Sequence, residues 1–276
     1  MALDVPNTLS PSKVSSFTEC GLAFRFSVID RLPEPPSLPA TRGTLVHLAL
    51  QHLMDLPPAE RTIPAALSCL DRAWEEYRHD AEVTGLGLDG DGEAKLLDDG
   101  EKLVRRYFQM EDPTAITPIG LELMLEVPLD GRRLRGIIDR LELDDDGGLV
   151  VTDYKTGKSP PPHVARKRLA GVHFYSLLCE QLFGTRPSVI RLLYLGDGTT
   201  IEAIPTEQST RGVERRLGAV WNAIEQACER ESFSPKPSKL CDWCSFRAFC
   251  PAQGGDPALA VVAKADSGPP VAVVAS

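Results

Sequence analysis

"RGIIDRLELDDDGGLVVTDYKTGK", residues 135–158, decides how the chain reads. The apolar runs on either side of the DDDGG turn at 144–148 read as two strands joined by that turn. Asp153 and Lys155 lie two apart on the second strand, so both point to one face, about 7 Å apart along it. Asp139 lies on the first strand and comes level with Asp153 if the register allows. Two facing carboxylates repel unless a cation sits between them, and oxygen ligands suit Mg2+ or Mn2+. A lysine beside them can orient a water and stabilise charge on a phosphoryl oxygen. These are the parts for hydrolysing a phosphodiester. Taken alone, Asp-x-Lys on a strand is also a common solvated ion pair. The acids at 144–146 read as turn residues, and the TGK after the strand lacks the upstream glycines of a P-loop.

Working outward, GLELMLEVPLD and RRLRGIIDRLELD read as strands joined at Asp130-Gly131, which makes LVVTDYK the third strand of a meander. SVIRLLYL and TTIEAI add two strands around Gly196-Asp197-Gly198. Helical spacing covers residues 41–54, 61–77, 93–110, 163–183 and 207–230. Ser10-Pro11 is an N-cap and first-turn proline opening a short helix. PEPPSLP, residues 33–39, reads as a stiff non-helical connector, and the Gly/Asp-rich 80–92 as a loop. The expected class is α/β, a central mixed sheet flanked by helices. A helical region spans about 12–112, the sheet core about 118–205, and a last helix with a cysteine-bearing segment about 207–251. The apolar, proline-bearing 253–276 reads as a disordered tail.

Three of seven cysteines fall in KLCDWCSFRAFC. Cys241-x2-Cys244 chelates one metal readily, and Cys250 is close enough to join. Cys20 is the fourth candidate, because Cys69, Cys179 and Cys228 sit in helices among aliphatic neighbours and read as buried thiols. Spacing leaves zinc and iron–sulfur both open. His47, among Leu45, Leu48, Ala49 and Leu53, is either a core histidine or a ligand one turn into a helix facing the sheet. Lys158, Arg166, Lys167 and Arg168 form a positive cluster, either a solvated face or a grip on a nucleic-acid backbone.

At 276 residues with 42 % hydrophobic content, the chain can build a sizeable core. No run approaches the ~20 apolar residues of a membrane span, and no basic-then-apolar leader opens the chain. The expected location is therefore the cytoplasm, where cysteines serve metals or burial more than disulfides. A net charge of −9 argues against a non-specific nucleic-acid coat, while leaving room for a local basic groove.

Residues 9–251 resemble, as one nuclease domain, a RecB-family exonuclease of the Cas4-like branch of the PD-(D/E)xK nuclease superfamily, with its restriction-endonuclease-like core. "LSPSKVSSFTECGLAFRF" resembles the family's opening helix and first cluster cysteine, "RGTLVHLALQHLM" its glycine-to-histidine helix, "GIIDR" and "VTDYKTGK" its two acidic motifs. The resemblance implies His47, Asp139, Asp153 and the backbone carbonyl of Tyr154 as ligands of Mg2+ or Mn2+, with Lys155 on the attacking water. It implies a 4Fe-4S cluster on Cys20, Cys241, Cys244 and Cys250. Tyr175 matches a tyrosine of the following helix, whose usual glutamine partner four residues earlier is Gly171 here. The implied activity is exonuclease cleavage of single-stranded DNA ends in repair or processing. No G-x4-G-K-S/T occurs, so unwinding would fall to a separate helicase partner. The competing expectation is a non-catalytic iron–sulfur protein that binds nucleic acid or partners.

Overall fold

Polar caps set where the helices begin. In the computed structural model, which describes residues 2–260 apart from the side chains of 162–170, Ser10 accepts from the Lys13 amide and opens α1 (Pro11–Glu19). Cys20 then separates α1 from the one-turn α2 (Gly21–Phe24). Ser37 caps α3 (Leu38–Asp55), Thr62 caps α4 (Ile63–Tyr77), Asp80 caps α5 (Ala81–Thr84) and Asp89 caps α6 (Gly90–Met110). Each cap satisfies an amide that the first helical turn leaves unpaired. The last two helices are α7 (Pro162–Phe183), closed by Gly184 at φ +72°, and α8 (Glu207–Glu229). Two expectations change. The connector at 33–39 yields its last residues to α3, because Pro39 in a first turn lacks only an amide that would be unpaired anyway. The loop at 80–92 contains α5 and the start of α6, because Asp80 and Asp89 act as caps rather than turn residues.

The strands are β1 (Thr8–Leu9), β2 (Pro118–Leu129), β3 (Arg132–Leu143), β4 (Leu149–Lys155), β5 (Val189–Tyr194) and β6 (Thr199–Ala203). The chain divides into two compact units. The larger comprises residues 36–129 and 134–214, where the sheet runs in the order β2, β3, β4, β5, β6. β3 and β4 pair antiparallel, β4 and β5 parallel through the α7 crossover, and β5 and β6 antiparallel. A mixed sheet with helices packed on it is thus established.

In this unit α3, α4 and α6 pack around Leu45, Leu50, Leu53, Leu70, Trp74 and Tyr107, with Tyr154 and Leu193 brought in from the sheet. Burying each such side chain contributes about 1.5–3 kcal/mol. Gly100 does not break α6, because it admits Leu70, whose Cδ1 would lie 3.4 Å from an added Cβ.

Among the described residues, the smaller unit comprises 2–35, 130–133 and 215–260. Phe26, Leu32, Phe246 and Ala260 form its apolar cluster beside the short turns Lys239–Trp243, Arg247–Phe249 and Pro251–Gln253. Of the tail expected from 253, residues 261–276 lie outside the described ones. No helix among the described residues is long and apolar enough to cross a membrane.

Candidate active site

The β3–β4 register settles the relation of the two acids. Arg140 stands opposite Thr152, and one step further sets Asp139 opposite Asp153. Both are buried, at 8 % and 3 % exposure. Burial, and then the charge of Asp153, raise the Asp139 pKa from its ordinary 3.8 to about 7. Asp139 Oδ2 accepts the Tyr154 amide at 2.6 Å. Lys155 Nζ lies 2.5 Å from Asp153 Oδ2, an ion pair that sets an ammonium directly on this buried oxygen. Burial opposes the charge on Lys155, yet Asp153 outweighs it and the lysine pKa is raised. Tyr175, on α7, donates to Asp153 Oδ1 at 3.3 Å, and burial beside these carboxylates holds its hydroxyl protonated.

His47 reaches the acids from α3. Its Nε2–H donates to the Tyr154 carbonyl at 3.0 Å. Its Nδ1 stands 3.6 Å from Asp139 Oδ2 and 3.7 Å from Glu122 Oε1. Burial would lower the His47 pKa, but the neighbouring Glu122, Asp139 and Asp153 carboxylates raise it overall. Ligand atoms of His47, Glu122 and Asp139 lie within 4.8 Å of one another, a spacing that can hold a metal ion.

Glu122 is a site residue that the sequence did not single out. It shares β2 with the similar Glu126, and only the fold separates the two. Its φ of +44° turns the strand locally, a conformation costly for a residue with a Cβ. The second missed residue is Arg140, fully buried beside Asp139. It forks onto Glu111 at 2.8 and 3.0 Å and donates to the hydroxyls of Tyr154 (2.9 Å), Tyr107 (3.2 Å) and Thr152 (3.2 Å). Tyr154 therefore works at both ends: Arg140 holds its hydroxyl, while its amide and carbonyl hold Asp139 and His47.

Among the remaining expected residues, Lys158 is exposed beyond β4, and the side chains of Arg166, Lys167 and Arg168 lie outside the described residues. Gly171 is exposed, with open space around it. The TGK turn is structural: the Gly196 amide donates to the Gly157 carbonyl, and a Cβ on Gly196 would fall 2.4 Å from that oxygen.

The smaller unit gathers Cys20, Cys241, Cys244 and Cys250 around one open pocket of ≈ 470 Å³. Backbone amides already point at two sulfurs, Lys236 N at Cys20 Sγ (3.4 Å) and Ser238 N at Cys241 Sγ (3.3 Å). Cys69, Cys179 and Cys228 are buried, as expected.

Two aligned acids, an Asp-x-Lys strand and a histidine from a preceding helix agree with the family to which residues 8–251 match, the PD-(D/E)XK nuclease superfamily. The chain belongs to this superfamily. Within it, the chain is 29 % identical over 168 residues to an ATP-dependent helicase/nuclease protein of Moorella thermoacetica, covering 58 % of this chain. It spans only 12 % of that much longer relative. It is 23 % identical over 269 residues to the Gene 69 protein of Mycobacterium phage D29, covering 88 % of this chain and 96 % of that protein. Its fold is shared with a crystal structure described as a candidate exonuclease from Eubacterium rectale. That match has a TM-score of 0.56 and 12 % identity, covering 86 % of this chain and 87 % of that one. PD-(D/E)XK nucleases use divalent metals, and the His47–Glu122–Asp139 group offers a place for one.

Proposed function

We propose that the chain is a divalent-metal-dependent deoxyribonuclease acting as an exonuclease on single-stranded DNA ends, in DNA repair or processing. The observation that carries this is the buried pair Asp139 and Asp153 with Lys155 against Asp153 Oδ2. Two carboxylates out of water hold more negative charge than one ammonium offsets, and a divalent cation sharing the pair would balance the remainder. Asp139, Asp153, His47 and Glu122 would hold Mg2+ or Mn2+. When bound, the ion supplies Lewis-acid charge for the phosphoryl oxygens and lowers the pKa of the attacking water.

The carbonyl of Tyr154, proposed as a further ligand, also accepts His47 Nε2–H, which orients the ring as ligating histidines commonly are through their second N–H; its other lone pair is left for the metal. The raised pKa of Lys155 keeps an ammonium at neutral pH, which suits it to place water and balance phosphoryl charge rather than to remove a proton. Tyr175 fixes Asp153 through its hydroxyl. Lys158, Arg166, Lys167 and Arg168 are assigned to the DNA backbone.

The four cysteines fit a 4Fe-4S cluster of the Cas4-like kind. Amides aimed at sulfur suit thiolate ligands. The choice of iron–sulfur over zinc rests on the resemblance to the Cas4-like branch. The Moorella relative is named for helicase and nuclease together, and we assign unwinding here to a separate motor. Residues 9–251 would act as one nuclease domain in the cytoplasm.

Anaerobically purified protein should be brown and should cleave end-labelled single-stranded DNA with Mn2+ or Mg2+. Lys155→Ala should keep the colour and lose cleavage, and Cys20→Ser should lose the colour. DNA binding without cleavage by the wild type would instead support a non-catalytic binding protein.

A further inference from the structure

Trp74 and Trp221 are buried at 5 % and 6 % exposure, whereas Trp243 is 88 % exposed. It stands in the short turn Lys239–Trp243, between Cys241 and Cys244, with Leu240 also 54 % exposed. A ring of this size normally removes 150–250 Å² from water, so its full projection into solvent calls for an occupant.

The charges nearby say which occupant fits. Residues 235–253 carry Lys236, Lys239 and Arg247 against the single acid Asp242, in a chain whose net charge is −9. Lys239 and Arg247 are exposed, and among the described residues neither has a carboxylate partner. Lys236 Nζ is held by the Thr18 carbonyl at 2.9 Å, which leaves its charge unneutralised. The adjacent pocket also carries two acids, Glu34, which accepts from Ser27, and Glu19 on α1, and among the described residues neither is paired with Lys239 or Arg247. An unpaired aromatic face beside unpaired cations is the pattern that stacks a base while gripping the flanking phosphates. We propose that Trp243 is a base-stacking platform for single-stranded DNA, with Lys239 and Arg247 on the backbone. This rests on the nuclease reading for its choice of DNA.

The test is binding of labelled oligo(dT) by fluorescence anisotropy in EDTA, using cluster-loaded full-length protein. Trp243→Ala should weaken binding about tenfold or more, the loss expected for one base stack. Trp243→Phe should stay within about threefold of wild type. Because the other tryptophans are buried, oligo(dT) should also quench the wild-type emission, a readout that needs no substitution. Wild-type affinity in Trp243→Ala would overturn the proposal. So would equal damage by Phe and Ala, unchanged emission, or a preference for oligo(rU) or blunt duplex. Cleavage is measured separately with Mn2+. Cleavage absent while Trp243-dependent binding persists sinks the nuclease reading alone. Cleavage retained with binding indifferent to Trp243 sinks the platform alone.

Discussion

Replacing Arg140 by Met removes the cation that holds Tyr154 and leaves Glu111 without a positive partner. Glu142 keeps Arg191 at 3.5 Å, whereas Glu111 is only 14 % exposed and is paired with Arg140. Breaking a buried pair by removing one partner costs about 3–5 kcal/mol. Unfolding entropy of about 2.1 cal/mol/K per residue over 276 residues gives about 0.6 kcal/mol/K. Arg140→Met should therefore lower Tm by about 5–9 °C for cooperative unfolding of the whole chain, read by calorimetry in EDTA. Adding Glu111→Met should recover more than half of that loss, because no orphaned carboxylate remains. A single variant that melts within about 2 °C of wild type would refute the reasoning. A double variant no better than the single would do the same.

Three further outcomes follow from the site. Asp139 and His47 both have raised pKa values, and a cation held by both must displace their protons, so Mn2+ affinity should rise by about tenfold or more per pH unit on approaching neutrality from below; a flat titration by electron paramagnetic resonance would contradict this. The sign for the metal-free fold is the reverse: a folded-state pKa raised above 3.8 favours folding at low pH, and that contribution fades as pH climbs from about 4 to 7. Glu122→Gln should weaken Mn2+ binding at least about tenfold while leaving the apo melting curve unharmed, and unchanged affinity would remove Glu122 from the site. Gly196→Ala would set a methyl 2.4 Å from the Gly157 oxygen and should destabilise by about 1–3 kcal/mol, seen as a lower urea midpoint.

Much of the site could be read because it lies on one hairpin. The alternation of VTDYK fixed the shared face of Asp153 and Lys155, and the short turn at 144–148 brought Asp139 across from them. LVVTDYK matches β4 residue for residue. What could not be read depends on contacts far apart in sequence. His47 donates to Tyr154 across 107 positions, a bond set by how α3 packs on the sheet. Glu122 differs from Glu126 only through a left-handed φ that no local pattern announces. Arg140 was in plain view beside Asp139. Its role emerges only once Tyr107, Glu111 and Tyr154 converge on it.

The pairing of Asp139 with Asp153 also bears on how the protein assembles. A hairpin closed by a short turn loses little loop entropy and can form early, ahead of the α7 crossover that brings β5 alongside β4. The early element thus carries the chain's own repulsion, two acids face to face. A divalent cation that binds the native pair and not the unfolded chain lends stability as the logarithm of its concentration. Metal supply would then govern how much folded protein a cell maintains, as well as how fast that protein works.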